Sequence, residues 1–171
     1  MSERRFDLQI MVVEDNFNMR KLVAEVVRAI GVKEVEECSD GAQALEMLRQ
    51  WPADVAIVDF NMSPMDGVEF TRMIRQSPDT PNPFLPIIML TAHSERARVE
   101  EARDVGVTEF IIKPMTARSI IGRLNSIINH PRPFIRTATY FGPDRRRRTS
   151  PDFAGPWRRK DDPQAATAAN G

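Results

Sequence analysis

The sequence predicts an α/β fold: five β/α units in which a five-stranded parallel sheet is doubly wound, with helices on both faces. Short apolar runs alternate along the chain with longer stretches whose apolar residues recur every three or four positions. Two of the runs, VAIVD and IIMLT, are apolar without alternation, which suits strands covered on both faces. The strand–helix alternation persists over about 130 residues, a length that holds one substantial core.

The elements follow in order. Residues 8–13 (LQIMVV) form a buried-strand run that ends at the acidic pair Glu14-Asp15. Met19, Leu22, Val23, Val26, Val27 and Ile30 then mark one face of a helix, which Gly31 closes as a C′ residue. Residues 32–38 read as a weaker strand, and residues 41–50 as a helix packing through Ala44, Leu45 and Leu48. The strand at 54–59 (DVAIVD) leads through a turn to a helix at 66–76. Residues 77–85 (SPDTPNPFL) look like a Pro-rich surface loop. A strand at 86–91 (PIIMLT) begins with Pro, which is tolerated at a strand's first residue. Ser94 is placed to N-cap a helix reaching Val105, with Gly106 after it. Residues 109–112 are the fifth strand. Lys113-Pro114 follows, and then a helix at 116–129 with Ile120, Ile121, Leu124, Ile127 and Ile128 on one side.

The formal net charge of zero conceals a split. Residues 1–130 carry 15 basic and 20 acidic side chains, whereas residues 131–171 carry 9 and 4. That extension is basic and holds 6 of the 13 prolines, so it is expected to be disordered, without a fold of its own. The opposite charges raise the hypothesis that it docks on the acidic body in one functional state. The single cysteine, Cys38, fits a reducing compartment. The N-terminal residues lack a signal peptide's apolar core, and no apolar run approaches the roughly 18 residues of a membrane span, so a soluble cytoplasmic protein is expected.

Function in an open α/β sheet collects outside the carboxyl ends of the strands. Standing there are Glu14 and Asp15, Asp59, Thr91 and Lys113, with only the second strand, ending at Cys38, blank. Three carboxylates repel one another unless a cation joins them, and hard oxygen ligands suit Mg²⁺. A carboxylate can attack a phosphoryl group to form an aspartyl phosphate, with the metal and a lysine neutralising the oxygens and Thr91 donating to the product.

These residues carry a resemblance. The acidic pair Glu14-Asp15, the central Asp59, Thr91 with the small Ala92 after it, Phe110 and Lys113-Pro114 stand in the order found in the receiver domain of bacterial two-component response regulators. The separations agree too: 44 residues from Asp15 to Asp59, 32 from there to Thr91 and 22 to Lys113. The resemblance spans about residues 7–130 and implies a flavodoxin-like receiver fold. It implies that Asp59 is the phosphoacceptor, fed by a sensor histidine kinase or a histidine phosphotransfer protein. Glu14, Asp15, Asp59 and the backbone carbonyl of Asn61 would hold Mg²⁺, and Lys113, before a cis Pro114, would pair with the phosphoryl group. Thr91 and Phe110 would be the switch residues, and the fourth helix, fifth strand and fifth helix the face read by an output protein. Two departures stand out: Glu14 replaces the commoner Asp, and Ser63 occupies a place where the family often has Pro, with Pro64 one residue later.

Other classes fit less well. A pseudo-receiver binding module would not need all the acidic, hydroxyl and lysine positions, and a phosphate-shuttling phosphorelay intermediate stays open as an alternative. The Asp59-x-Asn61 spacing lacks the second aspartate of haloacid-dehalogenase-type phosphatases, so no independent enzyme is expected beyond self-phosphorylation from a phosphodonor and autodephosphorylation. Arg145, Arg146, Arg147 and Arg148 form a cationic block suited to an acidic or phosphate-bearing partner. Too few residues follow it for a cyclic-dinucleotide-binding barrel, and the extension offers no helix pair for a DNA-binding domain.

Overall fold

The computed structural model describes residues 6–92 and 97–146. The expected sheet is present: β1 (Gln9–Val13), β2 (Glu34–Cys38), β3 (Val55–Asp59), β4 (Ile87–Thr91) and β5 (Glu109–Ile112) are all parallel in the order β2-β1-β3-β4-β5. The order reverses between β1 and β3, which opens a crevice at their carboxyl ends. Between the strands run α1 (Phe17–Ala29), α2 (Gly41–Gln50), α3 (Gly67–Gln76), α4 (Val99–Asp104) and α5 (Ala117–Asn129).

The two-residue period of the strands sorts the core onto two faces. Ile10, Val12, Val55, Ile57, Ile88 and Leu90 meet Val23 and Val27 of α1 and Ile120 and Leu124 of α5. Met11, Val13, Ala56, Val58 and Ile87 meet Ala44 and Leu48 of α2 and Phe70 and Ile74 of α3. Both central strands, β3 and β4, are buried throughout, as their unbroken apolar runs require. β2 is an edge strand, and its charged sequence EVEEC is only partly covered.

Side-chain caps set the helix starts: Asn16 accepts from the Met19 N–H, Asp40 from Gln43, and Asp66 and Thr116 form reciprocal capping boxes with Glu69 and Ser119. Gly31 and Gly106 both have positive φ, 105° and 100°, as expected for glycines that end helices. The fourth helix is shorter than expected. It starts at Val99, and Ser94, the expected cap, lies outside the described residues.

Of the extension, residues 131–146 are described, and the expectation of disorder for 147–171 lies outside the described residues. Residues Phe134–Arg136 (β6) and Phe141–Pro143 (β7) pair as an antiparallel hairpin that lies on the body. Its aromatic residues find partners that no local pattern reveals: Phe134 and Phe141 pack with Phe84 of the Pro-rich loop at centroid distances of 5.2–5.6 Å. Beneath them Arg75 of α3 is almost fully buried. It donates to the carbonyls of Gly106 and Pro83, and its guanidinium lies 5.0 Å from the Phe134 ring centroid. Two ion pairs join the basic extension to the acidic body: Arg132 with Glu109 of β5 at 3.3 Å, and Arg145 with Asp104 of α4 at 2.7 Å. A short, proline-rich segment has little apolar area to bury by itself, and packing on the body supplies it. No helix among the described residues is long and apolar enough to cross a membrane.

The hairpin meets the body glycine to glycine. A Cβ on Gly142 would lie 2.9 Å from the Gly106 Cα and 2.6 Å from the Tyr140 hydroxyl, whose own bond to the Pro143 carbonyl holds it in place. Gly142→Ala should therefore cost about 1–3 kcal/mol. Urea unfolding checks this, together with faster amide exchange at Thr137 and Asp144, whose N–H groups bond the carbonyls of Tyr140 and Pro133. An unchanged hairpin would refute the contact.

Candidate functional site

Four of the five strand ends deliver a chemically active side chain to the crevice. Asp59 is the last residue of β3 and only 2% exposed. Its Oδ2 accepts from the Asn61 N–H at 3.1 Å, and its Oδ1 forms an ion pair with Lys113 Nζ. Lys113 is positioned from below, where its N–H donates to the Thr91 carbonyl at 2.7 Å, and the Lys113–Pro114 peptide is cis as expected. A second cis peptide, Ser63–Pro64, lies in the loop after Asp59, where the sequence departs from the family pattern.

Glu14 sits just beyond β1 and is 3% exposed. Its Oε1 accepts from the Asn16 N–H at 3.0 Å, while Oε2 is buried with no hydrogen-bond donor among the described residues. Burial, seconded by the charge of Asp59, raises its pKa to about 7, against the lowering influence of the Asn16 N–H. Asp15 is exposed, its Oδ2 accepting from the Ser63 N–H at 3.1 Å, and its side chain lies against that of Glu14, which adds to the rise of the Glu14 pKa. Thr91 closes β4 and is 2% exposed. At the blank second strand, Cys38 is fully buried and its thiol is pushed up to about 12 by burial.

The structure thus brings Asp59, Lys113, Thr91 and Glu14 to one edge and places Asp15 and Asn61 on its rim. The carboxylates do not form a closed cage: among the described residues no three His, Cys, Asp or Glu side chains are grouped as a ready metal site. That still fits Mg²⁺, which takes one or two carboxylates and keeps several waters. The orphaned Glu14 Oε2 is an unmet acceptor that such an ion would satisfy.

Phe110 lies apart from this edge. It is half-buried in β5 opposite Met89, packed on the cluster of Phe60, Val68, Met89 and Ala102, with the Arg103 guanidinium 5.8 Å from its ring centroid. Two residues that sequence reasoning left without a role also shape the site. A Cβ on Gly67 would come within 2.6 Å of the Asp59 carbonyl oxygen, so only glycine lets α3 start directly behind the acid. Arg98 pairs with Asp66 at 3.2 Å and lies 4.6 Å from the ring centroid of Phe60, the residue after Asp59. The Asp66-Gly67 step was the available signal for the first, and nothing local marked the second.

A buried carboxylate paired to a lysine at the switch point of this sheet defines a class, and the comparisons agree. Residues 10–125 match the family model of the response regulator receiver domain, and the chain belongs to that family. Similar proteins include chemotaxis protein CheY-3 of Vibrio cholerae, 33% identical over 121 residues that make up 71% of this chain and 92% of that one. CheY of Pseudomonas aeruginosa is 32% identical over 120 residues, 70% of this chain and 95% of the relative. Among solved structures, CheY4 of Vibrio cholerae superposes with a TM-score of 0.64 at 30% identity, covering 71% of this chain and 98% of that one. The receiver domain of sensor histidine kinase PA1611 from Pseudomonas aeruginosa gives 0.63 at 27% identity, with 71% and 98% covered, and holds a magnesium ion in its active-site cleft. The chain is thus a CheY-like receiver, and its role lies in two-component signalling. The hairpin falls beyond the matched residues.

Because Glu14 holds its proton up to about pH 7 when folded but only to about 4.5 when unfolded, the folded state binds more protons between those values. Metal-free stability should therefore fall as pH rises from 4.5 to 7, by up to about 3 kcal/mol. Glu14→Gln should flatten that slope in urea titrations run with a chelator; an identical slope in the variant would contradict the assignment.

Proposed function

We propose that the protein is a cytoplasmic, phosphorylation-activated switch in which Asp59 takes a phosphoryl group from a phosphohistidine on a sensor kinase or a histidine phosphotransfer protein. The observation that carries this reading is the buried Asp59 carboxylate, ion-paired to Lys113 beside a Glu14 oxygen that has no donor among the described residues. An Asp59 oxygen would attack phosphorus as the P–N bond to histidine breaks, leaving the imidazole to take up a proton. Glu14, Asp15, Asp59 and the Asn61 carbonyl would hold Mg²⁺, which supplies charge neutralisation for the phosphoryl oxygens when bound.

The protein's own residues do the rest. Lys113 exchanges its pairing with the Asp59 carboxylate for one with a phosphoryl oxygen, at little cost because the ammonium is already in place. Thr91, at the adjacent strand end, donates its hydroxyl to the new phosphate, and Phe110 follows inward. The signal leaves through the α4–β5–α5 face to an output protein. The extension grips that region through Arg145 on Asp104 and Arg132 on Glu109, so a rearrangement there would be felt by the hairpin. A relay in which the phosphoryl group passes on to another histidine uses the same Asp59 chemistry, and transfer assays with candidate histidine proteins separate the two.

The test is incubation with a small phosphodonor and Mg²⁺. One hydroxylamine-labile phosphate per chain is expected. Chelation or Lys113→Ala should slow its formation at least about tenfold, equivalent to 1.4 kcal/mol of transition-state stabilisation. Absence of label, or indifference to both changes, would favour the non-phosphorylated binding module.

A further inference from the structure

A cleft of about 390 Å³ opens between the C-terminal end of α3, the Pro-rich loop and the hairpin. The ten residues of α3 hold it about 15 Å from Asp59, at the opposite edge of the sheet. Among the described residues no acidic side chain lines it, whereas Arg75 and Arg136 both do. One of these arginines comes from the acidic body and the other from the basic extension.

Neither guanidinium has a carboxylate partner among the described residues. Arg75 is 3% exposed, and its bonds all run to the carbonyls of Gly106 and Pro83, which satisfy N–H groups without cancelling charge. Burial draws its pKa down to about 10, against a smaller raising influence of Tyr140. Arg136 stacks on the Phe141 ring at 4.2 Å and makes no ion pair with any described residue. The contrast with the nearby Arg145 and Arg146 is direct, since those two are held by Asp104 and Asp144. A third unmet group lines the same cleft: Thr80 Oγ1 is buried with no hydrogen-bond partner among the described residues. The end of α3 contributes only about half a negative charge, too little to balance two cations.

We propose that this cleft binds a small phosphorylated ligand, its phosphate held between Arg136 and Arg75 with the Thr80 hydroxyl donating. The two guanidinium charges match the −1.5 to −2 charge of a phosphomonoester, and Arg136, whose fork is not committed to carbonyls as that of Arg75 is, suits bidentate bonding to its oxygens. The volume exceeds that of a bare phosphate and falls within the roughly 300–1,000 Å³ range of small-ligand clefts, leaving room for an organic group beside Phe141. Because the receiver supplies Arg75 and Thr80 while the extension supplies Arg136 and Phe141, the ligand would bind the extension to the body. The site stands independently of phosphorylation at Asp59.

The test is an amide-resolved NMR titration of the full chain with inorganic phosphate, with adenosine monophosphate and with ribose 5-phosphate. Saturable shifts should appear at residues 75–83 and 134–141. Arg136→Gln should weaken binding at least about tenfold, with Arg136→Lys retaining more affinity and Thr80→Val losing severalfold. Tighter binding of either organic phosphate identifies a phosphoester as the source, and equal affinity for all three identifies the phosphate ion itself. Unchanged labelling of the variants by a phosphodonor confirms that their receiver is intact. No saturable shift at millimolar probe, shifts confined to the surroundings of Asp59 and Lys113, or equal binding by Arg136→Gln would overturn the proposal.

Discussion

The Asp59–Lys113 ion pair is the interaction on which the carboxyl edge of the sheet depends. Glu14 and Asp59 are brought out of water at the ends of neighbouring strands, with Asp15 beside them, and one ammonium answers them. The arrangement is costly by itself, because a buried carboxylate without a full counter-charge favours its neutral form. The protein accommodates part of that cost by holding Glu14 in its protonated form up to about pH 7. What remains is a site poised for added positive charge, and a metal ion together with a phosphoryl group would provide a charge distribution in which each oxygen has a partner.

The rest of the fold holds that imbalance in place. β1 and β3 pair directly from Ile10 with Val55 to Val13 with Val58, which brings the two acidic ends level. β3 and β4 are buried along their whole length, so Asp59 and Thr91 cannot move outward to relax into solvent. Gly67 lets α3 begin against the Asp59 carbonyl, and the N–H of Lys113 is tied to Thr91 on the next strand. The acid is held from three sides and open only toward the crevice.

Much of this was legible from the chain. Unbroken apolar runs announced parallel strands because burial on both faces leaves no polar alternation, and the polar residue ending each run marked the functional edge. Helix ends at Gly31 and Gly106 were readable because a positive φ selects glycine. The hairpin was not legible. Prolines and arginines dominate that stretch, and Phe134 and Phe141 gain their value from Phe84, about fifty residues earlier, from Arg75 of α3 and from the Gly106–Gly142 approach. A sequence window cannot see partners supplied by a distant loop. The orientation of Asp15 was also hidden, since it follows from the path of the loop around Ser63 and Pro64. The −5/+5 division of charge takes on structural meaning in Arg132 and Arg145, while Arg147 and Arg148 lie outside the described residues.

The most direct measurement is to locate the phosphate. After reaction with a phosphodonor and Mg²⁺, borohydride reduction converts an acyl phosphate into a stable alcohol that peptide mass spectrometry assigns to one residue. The account predicts modification at Asp59 alone, lost in Asp59→Asn and retained in Asp15→Asn at a lower level. Modification at Glu14 or Asp15 in the wild-type protein, or an Asp59→Asn chain that labels as well as the wild type, would contradict it.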